Sequence, residues 1–443
     1  MPSTVNQDLF DCKSDILGIY GQNGTGKSSV IEALDLVVQL LKQSPITKDY
    51  ARYIAKGKKM CQIRVDFLFQ KGDFKAYLEY TVRLQVNQND DNQGVQHFFA
   101  AFERLRYRKW DAGKGKFLRL TELFSFDASS PKVLNNAPLQ KLLLENHEEN
   151  QVEIALAIAA AQSQRCSILT SPQLVKLLSA VKHKKVSDLL FIINALNQYA
   201  LFDAIVVSNE QPVFSNLAIP FFIRQVGKGR AMLGRIPIQL NGVALLHEHL
   251  INLLATPIEN VNKVLASLIP GLQIELCNLG KELNEHGETC VRVQLLSRRG
   301  DLSIPLRCES AGIIKIVSIL SALIHVFHHA SVCLVVDELD AGIFEYLLGE
   351  ILQTLDMHAK GQIIFTSHNL RALEMLRKES LMFSTTNPEN RYIRMKNVKQ
   401  TNNLRDQYYR AIQLGGQSEE LYAETDRIET AKAFRQAIAT KED

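Results

Sequence analysis

An apolar run, Ile16-Leu17-Gly18-Ile19-Tyr20, leads into Gly21-Gln22-Asn23-Gly24-Thr25-Gly26-Lys27-Ser28 and then into Ser29-Val30-Ile31-Glu32-Ala33-Leu34, apolar at helical spacing. Strand, G-x-x-x-x-G-K-S turn and helix in that order form a phosphate-binding loop in its proper context. The glycines let backbone N–H groups point at phosphate oxygens, and the helix N-terminus adds partial positive charge. Residues 21–29 are therefore the expected nucleotide contacts. Lys27 is expected to reach the β- and γ-phosphates, and the Ser28 hydroxyl to ligate Mg²⁺. A bare strand-to-helix turn would need the glycines, but it would not need Lys-Ser behind them.

With 443 residues the chain can bury a large core and is expected to hold two or three structural units. Its 46% hydrophobic and 22% charged content is that of an ordinary globular protein. A net charge of +4 permits nucleic-acid contact without arguing for it. The seven cysteines are scattered and include no C-x-x-C, which gives no metal or disulfide framework and fits a reduced compartment. No signal peptide or uninterrupted membrane-spanning run is read from the sequence, so the expected location is cytoplasmic with no membrane partner.

Past the loop helix, strands are expected at 61–69, 74–84 and 97–107, with a polar turn at 87–94. The pattern then becomes helical from about 137 to 205, with a further amphipathic helix at 243–268. Strands return at 272–277 and 289–296. An alternating stretch follows: helix 310–328, strand 332–337, helix 342–357, strand 362–367, helix 369–378. These features divide the chain into an N-terminal lobe (1–135), a mainly helical insertion (136–270), a C-terminal lobe (271–385) and a helical tail (386–443).

The strand Val332-Cys333-Leu334-Val335-Val336 ends in Asp337 and Glu338. An Asp at the end of a strand beside a phosphate loop can hold the Mg²⁺ shell, and an adjacent Glu can polarise the attacking water. Asp337 is thus a candidate metal residue and Glu338 a candidate catalytic base. The next buried strand ends in Ser367-His368-Asn369, so His368 is expected at the same sheet edge as Glu338. Glu309-Ser310-Ala311-Gly312 stands just before a long apolar helix. A serine there is commonly an N-cap, and it can also present a second anion-binding element.

Taken in order, these pieces resemble the ABC-type ATPases of the SMC/RecF branch. They resemble most the short SMC-like AAA-family ATPases of bacterial anti-phage defence, such as the OLD-type and Septu ATPases. The resemblance covers about residues 15–60 and 270–380. It implies an α/β ABC-ATPase head, a phosphate-binding-loop mixed sheet with an antiparallel β flank, plus the helical insertion. It also implies ATP and Mg²⁺ as ligands and sites completed by dimerisation, with Glu309, Ser310 and Gly312 of one copy closing over the ATP of the other. The signature here reads E-S-A-G-I rather than L-S-G-G-Q. Gln151 is the candidate for the magnesium-linked glutamine, and Asp340 stands near the dimer-facing loop.

OLD-type relatives carry a C-terminal nuclease. The tail here offers Asp406, Glu419, Glu420, Glu424 and Asp426 without the spacing of a metal centre, and Tyr408, Tyr409 and Arg410 read as packing surface. The expected function is an ATP-driven switch that controls a separate effector, a nuclease or toxin. The alternative is a RecF-like repair or maintenance ATPase. Basic stretches at 104–119 (with Tyr107 and Trp110), 181–186 and 224–235 leave nucleic acid open as a partner, although solvated charge is the commoner meaning of such runs.

Overall fold

The computed structural model describes residues 15–46, 50, 54–55, 57–87, 97–132, 134–144, 149–208, 218–227, 230–240, 242–396, 403–415, 417–422 and 425–438. The chain begins with strand β1 (Asp15–Tyr20), the glycine loop and helix α1 (Lys27–Leu41). An antiparallel flank follows: β2 (Met60–Lys71), β3 (Phe74–Asn87), β4 (His97–Asp111), β5 (Lys116–Phe117) and β6 (Thr121–Asp127). Alternating apolar and polar residues let these strands bury one face, which reaches Leu78, Tyr80, Val82, Leu84 and Phe98. The strands run longer than expected, and most of the polar turn at 87–94 lies outside the described residues.

Helices α2 (Ala137–Leu144), α3 (Glu149–Ser163), α4 (Pro172–Ala180) and α5 (Lys184–Gln198) come next. Ser171 caps α4 and His183 caps α5 by accepting backbone N–H bonds, which explains the breaks in the helical run. The expected helical stretch also ends early. Ala204–Val207 is a strand, β7, flanked by a π-turn at Tyr199–Asp203. A hairpin of β8 (Ala218–Gly227) and β9 (Arg230–Gln239), then the short β10 (Ala244–Leu246), precede α6 (Glu248–Leu268). The segment expected as mainly helical thus contains four strands among its described residues.

The remaining elements are β11 (Leu272–Leu283), β12 (Thr289–Arg299), β13 (Leu302–Pro305), α7 (Ala311–His328), β14 (Cys333–Val336), α8 (Glu345–His358), β15 (Gln362–Thr366), α9 (Arg371–Met375), β16 (Leu381–Ser384), β17 (Tyr392–Ile393), α10 (Leu404–Leu414) and α11 (Arg427–Ile438). The expected helix 369–378 stops at Met375 because Leu376 takes extended backbone toward β16. Part of the segment expected as helical tail is a strand, since β17 pairs with β16. Helix α7 has a mean hydropathy of 1.8 over 18 residues, long and apolar enough to cross a membrane, contrary to the sequence expectation. Ten of its residues, among them Ile314, Val317 and Leu320, are buried against the rest of the protein, as in a core helix.

Among the described residues, the central sheet runs β17-β16-β1-β15-β14-β7. Ile19 lies opposite Thr366, Val336 opposite Phe365 and Val207. Four parallel strands therefore end level with one another, and whatever follows β1, β14 and β15 is brought to a single edge. One hydrophobic core joins this sheet to α6, α7 and α8, and a second lies between the antiparallel flank and α2–α5. Helix α1 links them: Ile31 packs with Cys333 and Val335 of the sheet, and Leu36, Val37, Val38, Leu40 and Leu41 belong to the second core.

Candidate functional site

The loop leaves β1 at Gly21, with Gly24 at φ 81° and Gly26 at φ 91°. Both values lie in the left-handed region that favours glycine and turns successive peptide units inward. Gly26 is the N-cap of α1 and provides no side-chain cap, so the first-turn N–H groups of α1 remain available to an anion. Asn23, Gly24 and Ser29 are exposed, Gln22 and Ser28 half-buried. Thr25 is buried, and its hydroxyl donates to Gln22 O at 2.7 Å.

Lys27 is not the exposed side chain that a loop position implies: only 7% of it is accessible. Its Nζ donates to Gly21 O and Gln22 O, each at 3.0 Å, so the ammonium folds back over the loop. Burial pushes this lysine below its usual range, while Asp337, Glu338 and Asp340 pull it the other way.

Across the sheet edge, Ser28 Oγ donates to Asp337 Oδ1 at 3.1 Å. The same oxygen accepts from Thr366 Oγ1 at 2.5 Å, and Thr366 Oγ1 accepts from Glu338 N at 2.7 Å. Asp337 is 5% and Thr366 1% exposed. One hydroxyl at the end of β15 thus fixes both the carboxylate of Asp337 and the backbone of Glu338. Glu338 itself is exposed, with φ at 46°. That conformation costs a residue with a Cβ about 1–2 kcal/mol, and it persists because Thr366 holds the turn from both its hydroxyl and its carbonyl, the latter accepting from Leu339 N at 3.0 Å.

His368 is exposed at the end of β15, where its backbone N–H donates to Asp340 Oδ2 at 3.1 Å. Asp340 Oδ1 is buried with no hydrogen-bond partner among the described residues. Lys315 of α7 also enters the site, a residue that sequence reasoning did not single out. Its Nζ donates to Asp337 O at 3.4 Å, and burial lowers its proton affinity against the pull of Asp337, Glu338 and Asp340. Its position one turn beyond Ser310, on a helix start already marked as interesting, was the available signal.

The signature residues divide. Ser310 is exposed and caps α7, its Oγ accepting from Ile313 N at 3.4 Å. Glu309 turns away into a pair with Arg299 and a bond from Ser297, its side chain only 6% exposed. Gly312 is a close-approach residue, since a Cβ there would lie 2.0 Å from Gly342 O. Gln151 sits exposed on α3, and no described contact brings it to the loop. In the tail, Tyr408 stacks on Phe383 at 5.2 Å, Glu419 accepts from Asn387 and Asn390, and Asp426 caps α11. Glu424 lies outside the described residues.

A phosphate cradle followed by a lysine, beside a serine hydroxyl and an aspartate oxygen, is a hard-oxygen set that fits Mg²⁺ and a nucleotide phosphate chain. Ser28 and Asp337 are the residues that would hold the metal. The mixed α/β fold sets a glycine-rich loop between its first strand and first helix, an arrangement suited to a nucleotide phosphate chain. Residues 3–199 match the family model described as an AAA domain. No curated protein matches the sequence. Among solved structures, the SMC head domain from Thermotoga maritima shares 12% identity at a TM-score of 0.33, with 86% of this chain and 90% of that one covered. A Smc head domain with an extended coiled coil bound to the C-terminal domain of ScpA, from Pyrococcus furiosus, shares 11% at 0.29, covering 80% and 83%. An SmcHead bound to the C-winged helix domain of ScpA shares 12% at 0.28, covering 80% and 82%. At these scores no residue role is carried across.

Proposed function

We propose that this chain is an ATP-binding and ATP-hydrolysing switch of SMC-like type that governs a separate effector. The observation that carries the proposal is the Ser28–Asp337 contact, which joins the phosphate loop to an acid 309 positions away at the edge where Glu338 and His368 also stand. Mg²⁺ would supply charge neutralisation for the γ-phosphate. Lys27 leaves its two loop carbonyls to meet the phosphates, Glu338 takes a proton from the attacking water, and His368 supports hydrolysis from the same edge. Ser310, exposed at the start of α7, is available to a second copy, so the working unit is an ATP-dependent dimer or larger assembly. The effector is a nuclease or toxin, the setting anti-phage defence, the location cytoplasmic.

A nucleic-acid role is less well supported by the basic flank. Trp110, the aromatic of that flank best suited to stacking, is 9% exposed and meets Phe117 edge-on at 5.0 Å, so it is not an open platform for bases. The deciding experiment measures ATP turnover and DNA binding together over a salt series. Turnover lost in Lys27→Ala, with no strongly salt-dependent DNA binding, supports the switch. Tight, salt-sensitive DNA binding by the isolated chain turns the assignment to a RecF-like maintenance ATPase.

A further inference from the structure

Three residues far from the loop in sequence are seated on its outer side. Arg391 Nη1 donates to Thr25 O at 3.2 Å, and Tyr392 Oη donates to Gly26 O at 2.5 Å. Ser384 Oγ donates to Tyr20 O at 3.1 Å and lies 2.6 Å from Thr25 Oγ1. All three belong to the hairpin of β16 and β17. The fit is close: a Cβ on Gly21 would lie 2.1 Å from Ser384 Oγ.

A trans peptide unit is planar, so its C=O and N–H point in opposite directions. Holding the carbonyls of Thr25 and Gly26 outward therefore aims the N–H groups of Gly26 and Lys27 the other way, into the concave side of the loop. These two peptide units flank Gly26, which has no Cβ to resist rotation about its own backbone. Untied, the Thr25–Gly26 unit could flip and present a carbonyl oxygen to a phosphate, exchanging attraction for repulsion, whereas Gly26 O, the N-cap carbonyl that accepts the first bond of α1, gains a second hold from Tyr392. Arg391 ties the unit before Gly26, and Tyr392 ties the unit after it.

We propose that the β16–β17 hairpin is a strap that sets the phosphate-binding loop for nucleotide, with Arg391 and Tyr392 as its positioning residues. The proposal rests on the reading that residues 21–28 bind nucleotide phosphates. The strap is itself braced. Thr385 N donates to Arg391 O at 2.8 Å and Thr385 Oγ1 to Asn390 O at 2.8 Å, closing its turn. Asn387 and Asn390 both donate to Glu419, at 2.9 and 2.7 Å, which ties the turn to the chain beyond α10.

The test uses the full chain and ATP. Arg391→Met and Tyr392→Phe are compared with wild type and Lys27→Ala by titration calorimetry and steady-state ATPase assay, with melting temperature as a control on folding. Tyr392→Phe keeps the ring and removes only the hydroxyl, so its fold is safe. Each hairpin variant is expected to raise the ATP Kd and KM about five- to twenty-fold, the range of one or two lost hydrogen bonds, with kcat and melting temperature unchanged. Arg391→Lys should recover part of the loss. By linkage, ATP should in turn slow hydrogen exchange at residues 384–392 of the wild type. If Lys27→Ala loses ATP while both hairpin variants keep wild-type affinity, the strap is refuted and the nucleotide site stands. If Lys27→Ala binds ATP normally, the site reading fails and the strap with it.

Discussion

Lys27 and Glu338 stand in conformations set by their own surroundings, the lysine folded back on Gly21 O and Gln22 O and the glutamate at φ 46°. The two bonds from Lys27 Nζ to its own loop come from a charged donor, a class worth about 1.5–3 kcal/mol each, and phosphate oxygens are stronger partners for a cation. Lys27→Ala should therefore lose ATP binding by calorimetry and still fold, its stability lowered by no more than the ~3–6 kcal/mol that two such bonds carry. Glu338→Gln keeps the shape of the side chain and removes the proton acceptor. Its ATP affinity should stay within about threefold while turnover falls ~100-fold or more, measured as phosphate release. Equal turnover would place the base elsewhere. Glu338→Gly should likewise abolish turnover, yet it relieves the strain at φ 46°, so its denaturation midpoint should not fall. Glu309 takes a structural part. Its bond from Arg299 holds the carboxyl below the usual carboxylate range. A depressed folded pKa means stability that is present above about pH 4.3 and lost as pH falls through the folded value. Arg299→Met should flatten that acid loss in urea midpoints taken between about pH 5 and 3.

At the scale of elements, α7 connects the signature to the acid edge. Its first turn rests against the turn after Leu339, with Gly312 on Gly342, and Lys315 reaches Asp337 O. Gly312→Ala must push that turn aside and should reduce turnover without touching Lys27. Ser310→Arg alters only an exposed cap, so its effect on turnover at high protein concentration reports contact with a second copy. Unchanged turnover at every concentration would refute a composite site. The sequence made much of this legible for local reasons. Gly21–Ser28 is a spacing, and the run from Val332 to Val336 needs a buried parallel strand before its two acids. What escaped it was non-local or short. β7 is four residues behind a helical pattern, and its strand character comes from pairing with β14. Thr366, Lys315 and the Ser384–Tyr392 hairpin gain meaning only once the sheet sets residues 20, 337 and 366 side by side. The helical pattern at 369–378 lost to tertiary pairing of Leu381–Ser384 with β1.

For the whole molecule, the placement of the tail acids decides what can be asked of the chain alone. Glu419 and Asp426 are engaged with side-chain amides and a helix start, and no group of three or more His, Cys, Asp or Glu able to hold a metal is found among the described residues. A two-metal nuclease needs several acids around ions ~4 Å apart. Under the proposed division of labour, purified protein with Mg²⁺ or Mn²⁺ and ATP is expected not to cut DNA or RNA. Cleavage or toxicity should require a second polypeptide and should respond to Lys27→Ala or Glu338→Gln. Robust cleavage by this chain alone, lost on changing Asp406 or Glu419, would refute the division of labour. The strand order carries a consequence in time as well. β1 lies between β15 and β16, whose residues are more than three hundred positions downstream. At translation rates of about 5–20 residues per second, the loop emerges from the ribosome roughly 15–70 s before either flanking strand exists. A nascent chain halted short of residue 366 lacks the hydroxyl that holds the Asp337 carboxylate and the Glu338 backbone. The loop and the strands on either side of it are thus joined only late in the order of synthesis.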